Sequence, residues 1–327
     1  MNYCLFKMHF KSALHIGSDS GVTSLISSEM QIHSDTLFSS LCIEALQADG
    51  QNELDRLYSY VKDGKLCFSD AFPFSGDELY IPKPIISVQS KSVSRDSDDV
   101  KKIKKLVYLP ITEFEEYLAY LKGDELKGFK GLAENKQFGV TNIRAMASIH
   151  GEDETEPFHV GIFEFLQDCG LYIIVAYEAD EQFELMKKLL TLLSLSGIGG
   201  KRTAGMGSFE LEDEIFLDSP FTEAQEYLNK FLTLEKTTWS MTLNVSLPVD
   251  EELDEVIKES YFKLTRRGGF VQSQSYAENP IKKQVIHLIS AGSCVKKRFK
   301  GDIFDVSING THPVFRMAKP LFMGVDI

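Results

Sequence analysis

Cysteine is scarce in this chain of 327 residues, and the five present (Cys4, Cys42, Cys67, Cys169 and Cys294) form no C-x-x-C pair. That spacing argues against a zinc site built on thiolates and offers no disulfide framework. The N-terminus, Met1-Asn2-Tyr3-Cys4-Leu5-Phe6-Lys7, has no apolar leader core or small-residue cleavage site. The thiols therefore read as reduced and the protein as cytoplasmic. No apolar run approaches the roughly 20 residues of a membrane span, so no membrane association is expected. No Gly-Lys-Ser/Thr opens a helix, and no glycine fingerprint leads from a strand into a helix, which excludes a Walker loop and a Rossmann site. What is there is ordinary for a globular protein, with 43% hydrophobic and 25% charged residues. The length suggests about two domains, each large enough to bury a core.

Basic residues are outnumbered, 35 against 48 acids, for a net charge of −13. A uniform acid coat would repel nucleic acid, but the charge is segregated. Between Tyr261 and Lys300 stand Lys263, Arg266, Arg267, Lys282, Lys283, Lys296, Lys297, Arg298 and Lys300, against Glu278 alone. Glu210 to Glu226 carries seven acids and no base. One face for a polyanion and another for a basic partner fit this pattern, and so do two solvated faces. Phe270, Tyr276 and Phe299 lie within the basic window and would give a single strand stacking surfaces.

Tyr3 to Leu14 alternates like a strand and runs into a Gly/Ser/Asp loop. Ser34 or Asp35 then caps a helix through Leu46, with apolar residues at helical spacing. A second helix is predicted near Asn52 to Lys62, then a short strand before Pro73. From Lys83 a polar insertion begins, and its Ser/Lys/Asp-rich stretch from Ser87 to Lys105 reads as mobile. Phe114 to Leu121 reads as a helix, Phe138 to Phe165 as a long hairpin and Leu171 to Tyr177 as a buried strand. Phe183 to Leu195 is an amphipathic helix ending at Gly197. The acidic stretch after Phe209 reads as strand plus linker. Trp239 to Leu247 restarts the pattern, followed by a helix near Glu251 to Lys258. Strands are expected at Tyr261 to Gln272, Lys283 to Ser290, Ile303 to Ile308 and Val314 to Phe322. The sum is an α+β chain with two sheets and a boundary near Phe231 to Lys236.

The strongest local feature is Gly197-Ile198-Gly199-Gly200-Lys201-Arg202-Thr203-Ala204-Gly205-Met206-Gly207-Ser208-Phe209. Its bare backbone invites N–H contacts to phosphate, and Lys201 and Arg202 add charge. A helix followed by G-x-G-G-K-R-x-x-G-x-G-x-F resembles the glycine-rich loop of the CRISPR-associated RAMP superfamily. Leu14-His15-Ile16-Gly17 and His33-Ser34-Asp35-Thr36-Leu37-Phe38-Ser39 are similar to that superfamily's first strand, loop and helix. Arg267-Gly268-Gly269-Phe270, Ala291-Gly292-Ser293 and His312-Pro313-Val314-Phe315-Arg316 resemble the C-terminal domain of one of its families, subunit four of the type III-A Csm effector complex. The likeness runs from Phe6 to about Leu321.

That resemblance implies two ferredoxin-like (RRM-like) RAMP domains, with a thumb hairpin insertion and a glycine-rich loop. Residues 1–235 would be the first, with an insertion at about 83–165, a thumb at about 138–165 and the loop at 197–209. Residues 236–327 would be the second. The implied partners are the 5′ handle of the CRISPR RNA (crRNA), the large polymerase-like signature subunit and the RAMP backbone subunit. Residues placed on RNA are His15, Gly17, Ser18, His33 and Ser34 in the first loop and helix start; Asn142 and Arg144 on the thumb; Gly199, Gly200, Lys201, Arg202 and Thr203 in the glycine loop; and Arg266, Arg267 and Arg298 in the basic window. Ile143 and Met146 would wedge between bases. Ile143 stands where the family's thumb pattern has Asp.

Some RAMP proteins are metal-independent endoribonucleases that process CRISPR repeats with a histidine in the first loop region. His15 or His33 could supply one half of such acid–base work, but no Tyr/His/Lys triad accompanies them. Asp35, without a second acid nearby, is read as a helix cap rather than a metal ligand. The expectation is a non-catalytic RNA-binding subunit without cofactor or metal, with the endoribonuclease as the alternative.

Overall fold

Aromatic and aliphatic residues along Asn2–Phe10 (β1) give a strand that is apolar on both faces. The computed structural model describes residues 1–17, 24–87, 97–124, 136–148, 156–273, 275–279 and 281–327. In it, β1 lies within an eight-stranded antiparallel sheet. The chain continues through α1 (Ser34–Asp49), α2 (Gln51–Lys62), β2 (Leu66–Phe68), β3 (Phe72–Ser75), β4 (Glu78–Pro82), α3 (Ser97–Lys105), β5 (Tyr108–Pro110) and α4 (Phe114–Lys122). A hairpin of β6 (Gly139–Ser148) and β7 (Glu156–Phe165) follows, then β8 (Cys169–Tyr177), α5 (Asp180–Ser196), β9 (Phe209–Leu211) and β10 (Ile215–Phe216). The sheet order is β10-β1-β8-β3-β4-β5, with β9 also on β1 and β2 also on β8. Reduced to β1, β2/β3, β8 and β9/β10 with helices between, this is the strand order of a ferredoxin-like fold.

Both faces of that sheet are covered. Cys4, Phe6 and Met8 pack with α1, α2 and α5, whereas Leu5 packs on the other side with Tyr172, Ile174 and α4. β8 is buried along its whole length, which is why it reads as a continuous apolar run. Phe38 and Leu41 of α1 are fully buried, each stabilising the fold by about 1.5–3 kcal/mol. An open sheet face for stacking bases, as in an RNA-recognition motif, is therefore not on offer. A ligand must be met at loops and helix ends.

Beyond β10 come α6 (Glu223–Thr233), β11 (Trp239–Thr242), α7 (Asp250–Lys258), β12 (Ser260–Tyr261), β13 (Leu264–Arg267), β14 (Ile286–Ile289), β15 (Cys294–Val295), β16 (Ile303–Asp305), β17 (Phe315–Met317) and β18 (Phe322–Val325). They form a four-stranded sheet of order β12-β15-β11-β18 and two ribbons, β13–β14 and β16–β17. The expected strands over 261–272 and 314–322 are thus each broken into shorter pieces, and the one over 303–308 shortens to 303–305. Helix α6 falls in the stretch read as an acidic linker. Its Thr222 Oγ1 accepts from the Gln225 N–H while the Gln225 side chain accepts from the Thr222 N–H. Glu223 and Glu226 sit in its first turn, where the helix dipole favours them. Part of the expected polar insertion is also ordered structure: α3 buries Ile103, and β5 extends the main sheet.

Candidate nucleic-acid interface

Three segments distant in sequence meet at one cleft of about 240 Å³: His15 to Gly17, the start of α1, and the glycine loop, closed by residues from Arg267 to Gln272. Among the described residues its charged lining is Asp35, Arg202, Arg267, Lys283 and Arg316. Asp35 does not cap α1, which corrects the sequence reading. The cap position is His33, with no side-chain cap bond, and Asp70 instead accepts from the Ser34 N–H at 2.8 Å. The Asp35 carboxylate takes two bonds from Arg267, Nε at 3.0 Å and Nη2 at 2.9 Å, and a third from Arg316 Nη1. Burial alone would raise the Asp35 pKa, but the charges of Arg267 and Arg316 outweigh it and hold the carboxyl far below the usual range. With that single acid bridging two arginines, the cleft keeps a positive excess.

Lys283 is half-buried and lines the cleft. Loss of hydration, then the neighbouring charges of Arg316 and Arg267, lower its pKa to about 8 despite Asp35. Its amine makes no hydrogen bond or ion pair among the described residues.

The glycines serve packing more than ligand contact. Gly207 has φ +75°, and a Cβ there would stand 1.9 Å from the Ile198 carbonyl oxygen; at Gly199, φ +94°, it would stand 2.6 Å from that of His15. The loop's N–H groups are largely spent inside the protein: Ile198 on Gly207, Gly200 on His15, Gly207 on Ala13, and Ala204 and Met206 on Lys201. The expected bare cradle of N–H donors is therefore a braced turn that presents side chains. Arg202 lies in the cleft wall, 3.7 Å from Glu44, and Lys201 caps the Phe158 ring at 4.6 Å.

A family model for the RAMP superfamily matches residues 7–210, and one for the CRISPR Csm4 C-terminal domain matches residues 235–325. The CRISPR system Cms protein Csm4 of Mycobacterium tuberculosis (strain CDC 1551 / Oshkosh) is 36% identical over 327 residues, spanning 99% of this chain and 98% of the relative. The chain belongs to the Csm4 family. Csm4 of Streptococcus thermophilus is 31% identical over the full length of both chains. In fold, the chain is similar to one in the crystal structure of the Csm3-Csm4 subcomplex of the type III-A CRISPR-Cas interference complex. That match has a TM-score of 0.64 at 19% identity, covering 100% of both chains. A chain of the Csm1-Csm4 cassette in complex with pppApA gives 0.62 at 18% identity, covering 100% of this chain and 99% of that one.

Of the residues expected at RNA in this Csm4-family chain, the cleft gathers His15, Gly17, Gly199, Gly200, Arg202 and Arg267. Ser18 lies outside the described residues, as do the hairpin tip 149–155 and residues 88–96 of the insertion. His15 is buried, its Nδ1 at 2.6 Å from the Gly161 carbonyl oxygen. His33 and Ser34 are buried next to Asp35 but outside the cleft lining, with His33 Nδ1 2.6 Å from Asp70. Thr203 is exposed. Asn142 and Arg144 share Glu164 on the hairpin surface, at 2.9 and 3.4 Å. Ile143 is 63% exposed, whereas Met146 packs against a small core of Ala13, Val160, Ile162 and Met206, so it is no free wedge.

The basic window divides in two. Arg267 and Lys283 line the cleft, whereas Lys296 and Lys297 pair with Glu259 and Glu255 at α7. Arg298 bonds Ser240 at 2.8 Å on the four-stranded sheet, outside the cleft lining, and Arg266 is exposed on β13. Of the three rings expected to stack, Tyr276 and Phe299 are buried and Phe270 is open, at 49%. The acidic stretch is partly neutralised too, with Glu210 on Lys11 and Glu214 on Lys187. Sequence reading missed Arg316 and Asp70 as parts of the site's frame. Among the described residues no three His, Cys, Asp or Glu side chains group as metal ligands, and no helix is long and apolar enough to cross a membrane.

Proposed function

We propose that this chain is the RNA-binding subunit of a type III-A CRISPR effector ribonucleoprotein in antiviral defence. It holds the repeat-derived 5′ handle of the crRNA and bridges the large signature subunit to the RAMP backbone filament. The observation that carries the reading is the cleft, whose charged lining among the described residues is Arg202, Arg267, Lys283 and Arg316 against Asp35, at a loop-and-helix junction. Cations at such a junction fit a phosphate backbone. Family membership supports the assembly, since relatives of the same fold are seen in Csm3-Csm4 and Csm1-Csm4 complexes.

Within this reading the chain is two RAMP domains, 1–235 and 236–327, in a cytoplasmic protein. The order β12-β15-β11-β18, with α7 between its first two strands in sequence, supports a second ferredoxin-like unit that has one helix in place of two. The β6–β7 hairpin serves as the thumb, held against the glycine loop by Phe158 under Lys201 and by Val160 and Ile162 with Met206. The role is non-catalytic. In support, His15 and His33 are both buried, His15 held by the Gly161 carbonyl and His33 by Asp70. The test is handle RNA binding across a salt series. Lys201→Ala with Arg202→Ala should weaken binding and reduce the salt slope by up to about two ion equivalents. An unchanged slope would remove the glycine loop from the interface.

A further inference from the structure

A second compartment of about 120 Å³ adjoins the cleft, between α1 and the segments around Val271 and Phe315. Its walls are mainly apolar, formed by Ile43, Leu46, Leu54, Val271, Val314 and Phe315. Its rim is polar, with Ser39, Gln272, Ser273 and His312. Ser39, Ile43, Gln272 and Lys283 line both spaces. A cationic amine thus stands where a charged cleft meets an apolar slot.

The geometry points to a seat for one everted nucleotide of a bound single strand, its phosphate at Lys283 and its base in the slot beside Cys42 and Phe315. This rests on the RNA-binding reading and adds a position-specific pocket to it. A phosphate needs a cation that no carboxylate has claimed, and the Lys283 amine makes no ion pair among the described residues. Asp35, the acid nearest to it in the cleft, is bonded by Arg267 and Arg316. A base needs apolar walls for its faces and donors or acceptors at its edge, which the rim supplies from Gln272, Ser39 and Ser273. At the mouth of the cleft Phe270 is half exposed, with Lys282 5.6 Å from its ring centre. That ring would take the base that follows the everted one. An acidic peptide could use the same cation, but it has no need of the open aromatic platform.

The test places 2-aminopurine at one position of the handle RNA at a time, with the full-length protein. A base drawn from its neighbours into the slot should brighten at one position, while the other positions change together. Cys42→Phe fills the slot and should abolish that signal and weaken binding by about tenfold, within the ~1–3 kcal/mol of one base contact. Leu46→Trp acts from a half-exposed position, so it reads the same signal if Cys42→Phe disturbs α1. Lys283→Met should lower the salt slope by about one. A uniform response along a tightly bound RNA, or a single bright position that survives both filling variants, overturns the pocket and leaves the RNA-binding reading standing. No binding of the RNA by the wild type overturns that reading itself. Free AMP binding as tightly as the strand, or an acidic peptide displacing the 2-aminopurine signal while RNA without the everted base does not, reassigns the slot and overturns the proposal.

Discussion

Asp35 shows what a single residue can do that its sequence neighbourhood hides. Locally it is a short polar residue at a helix start, and capping is the economical reading. Its partners lie 232 and 281 residues away, so no local pattern could reveal them. In the fold its buried carboxylate bridges Arg267 and Arg316, and losing its charge removes an ion pair from each. Asp35→Asn should destabilise the protein by about 3 kcal/mol in urea unfolding. An effect of a few tenths would mean that the arginines find other acceptors. Because the folded pKa of Asp35 is depressed, its contribution is complete above the unfolded carboxyl value and is lost as pH falls below about 4. Melting curves from pH 6 to 3 should therefore fall less steeply in Asp35→Asn than in the wild type. Lys283 works in the opposite direction. It faces Arg316 and Arg267, with Asp35 and Cys42 on α1 and His312 across the slot. Its folded pKa of about 8 lies below that of the unfolded chain, so its own contribution to stability grows as pH climbs from 8 toward about 10.5, against the opposite pull of buried thiols such as Cys42, Cys67 and Cys294, whose pKa values are raised. Lys283→Met should remove that contribution, so the variant should lose stability more steeply than the wild type over this range.

At the scale of elements, legibility followed period and length. Helices α1, α2 and α5 and strand β8 carried long apolar patterns, and their ends fall within a few residues of expectation. Helix α6 was obscured by its acids, although the Thr222 and Gln225 pair that caps it was present in the sequence. The C-terminal strands were too short, at two to four residues, for any alternation to mark their breaks. The glycine loop reaches the cleft wall, and its backbone does a different job from the one its composition suggested. Its glycines permit left-handed backbone and close carbonyl approach, and its charge comes from side chains. Gly207→Ala should cost about 1 kcal/mol or more in a thermal melt, because φ and space both forbid the methyl. A neutral result would mean that the loop can be rebuilt without changing its path.

The whole molecule is joined by polar groups as well as by packing. Asp70 accepts from the N–H groups of Ser34 and Val245, and Asn244 donates to the carbonyls of Phe68 and Lys319. Lys62 pairs with Asp302 at 2.5 Å. Leu5 and Ile174 of the large sheet share one apolar cluster with Met241, Leu243 and Met323. Both halves should therefore unfold together. Trp239, the single tryptophan, sits on the four-stranded sheet and reports that half. Its fluorescence and the far-UV circular dichroism should give one coincident urea transition, and two separated midpoints would show a seam weaker than these contacts require.

The central claim is that this chain binds the crRNA handle and does not cut it. Purified protein mixed with end-labelled repeat RNA in EDTA, run on native and denaturing gels side by side, tests it directly. A shifted band with intact RNA is the predicted result. A discrete cleavage product that disappears in His15→Ala or His33→Ala would contradict the account and make the protein a repeat-processing ribonuclease.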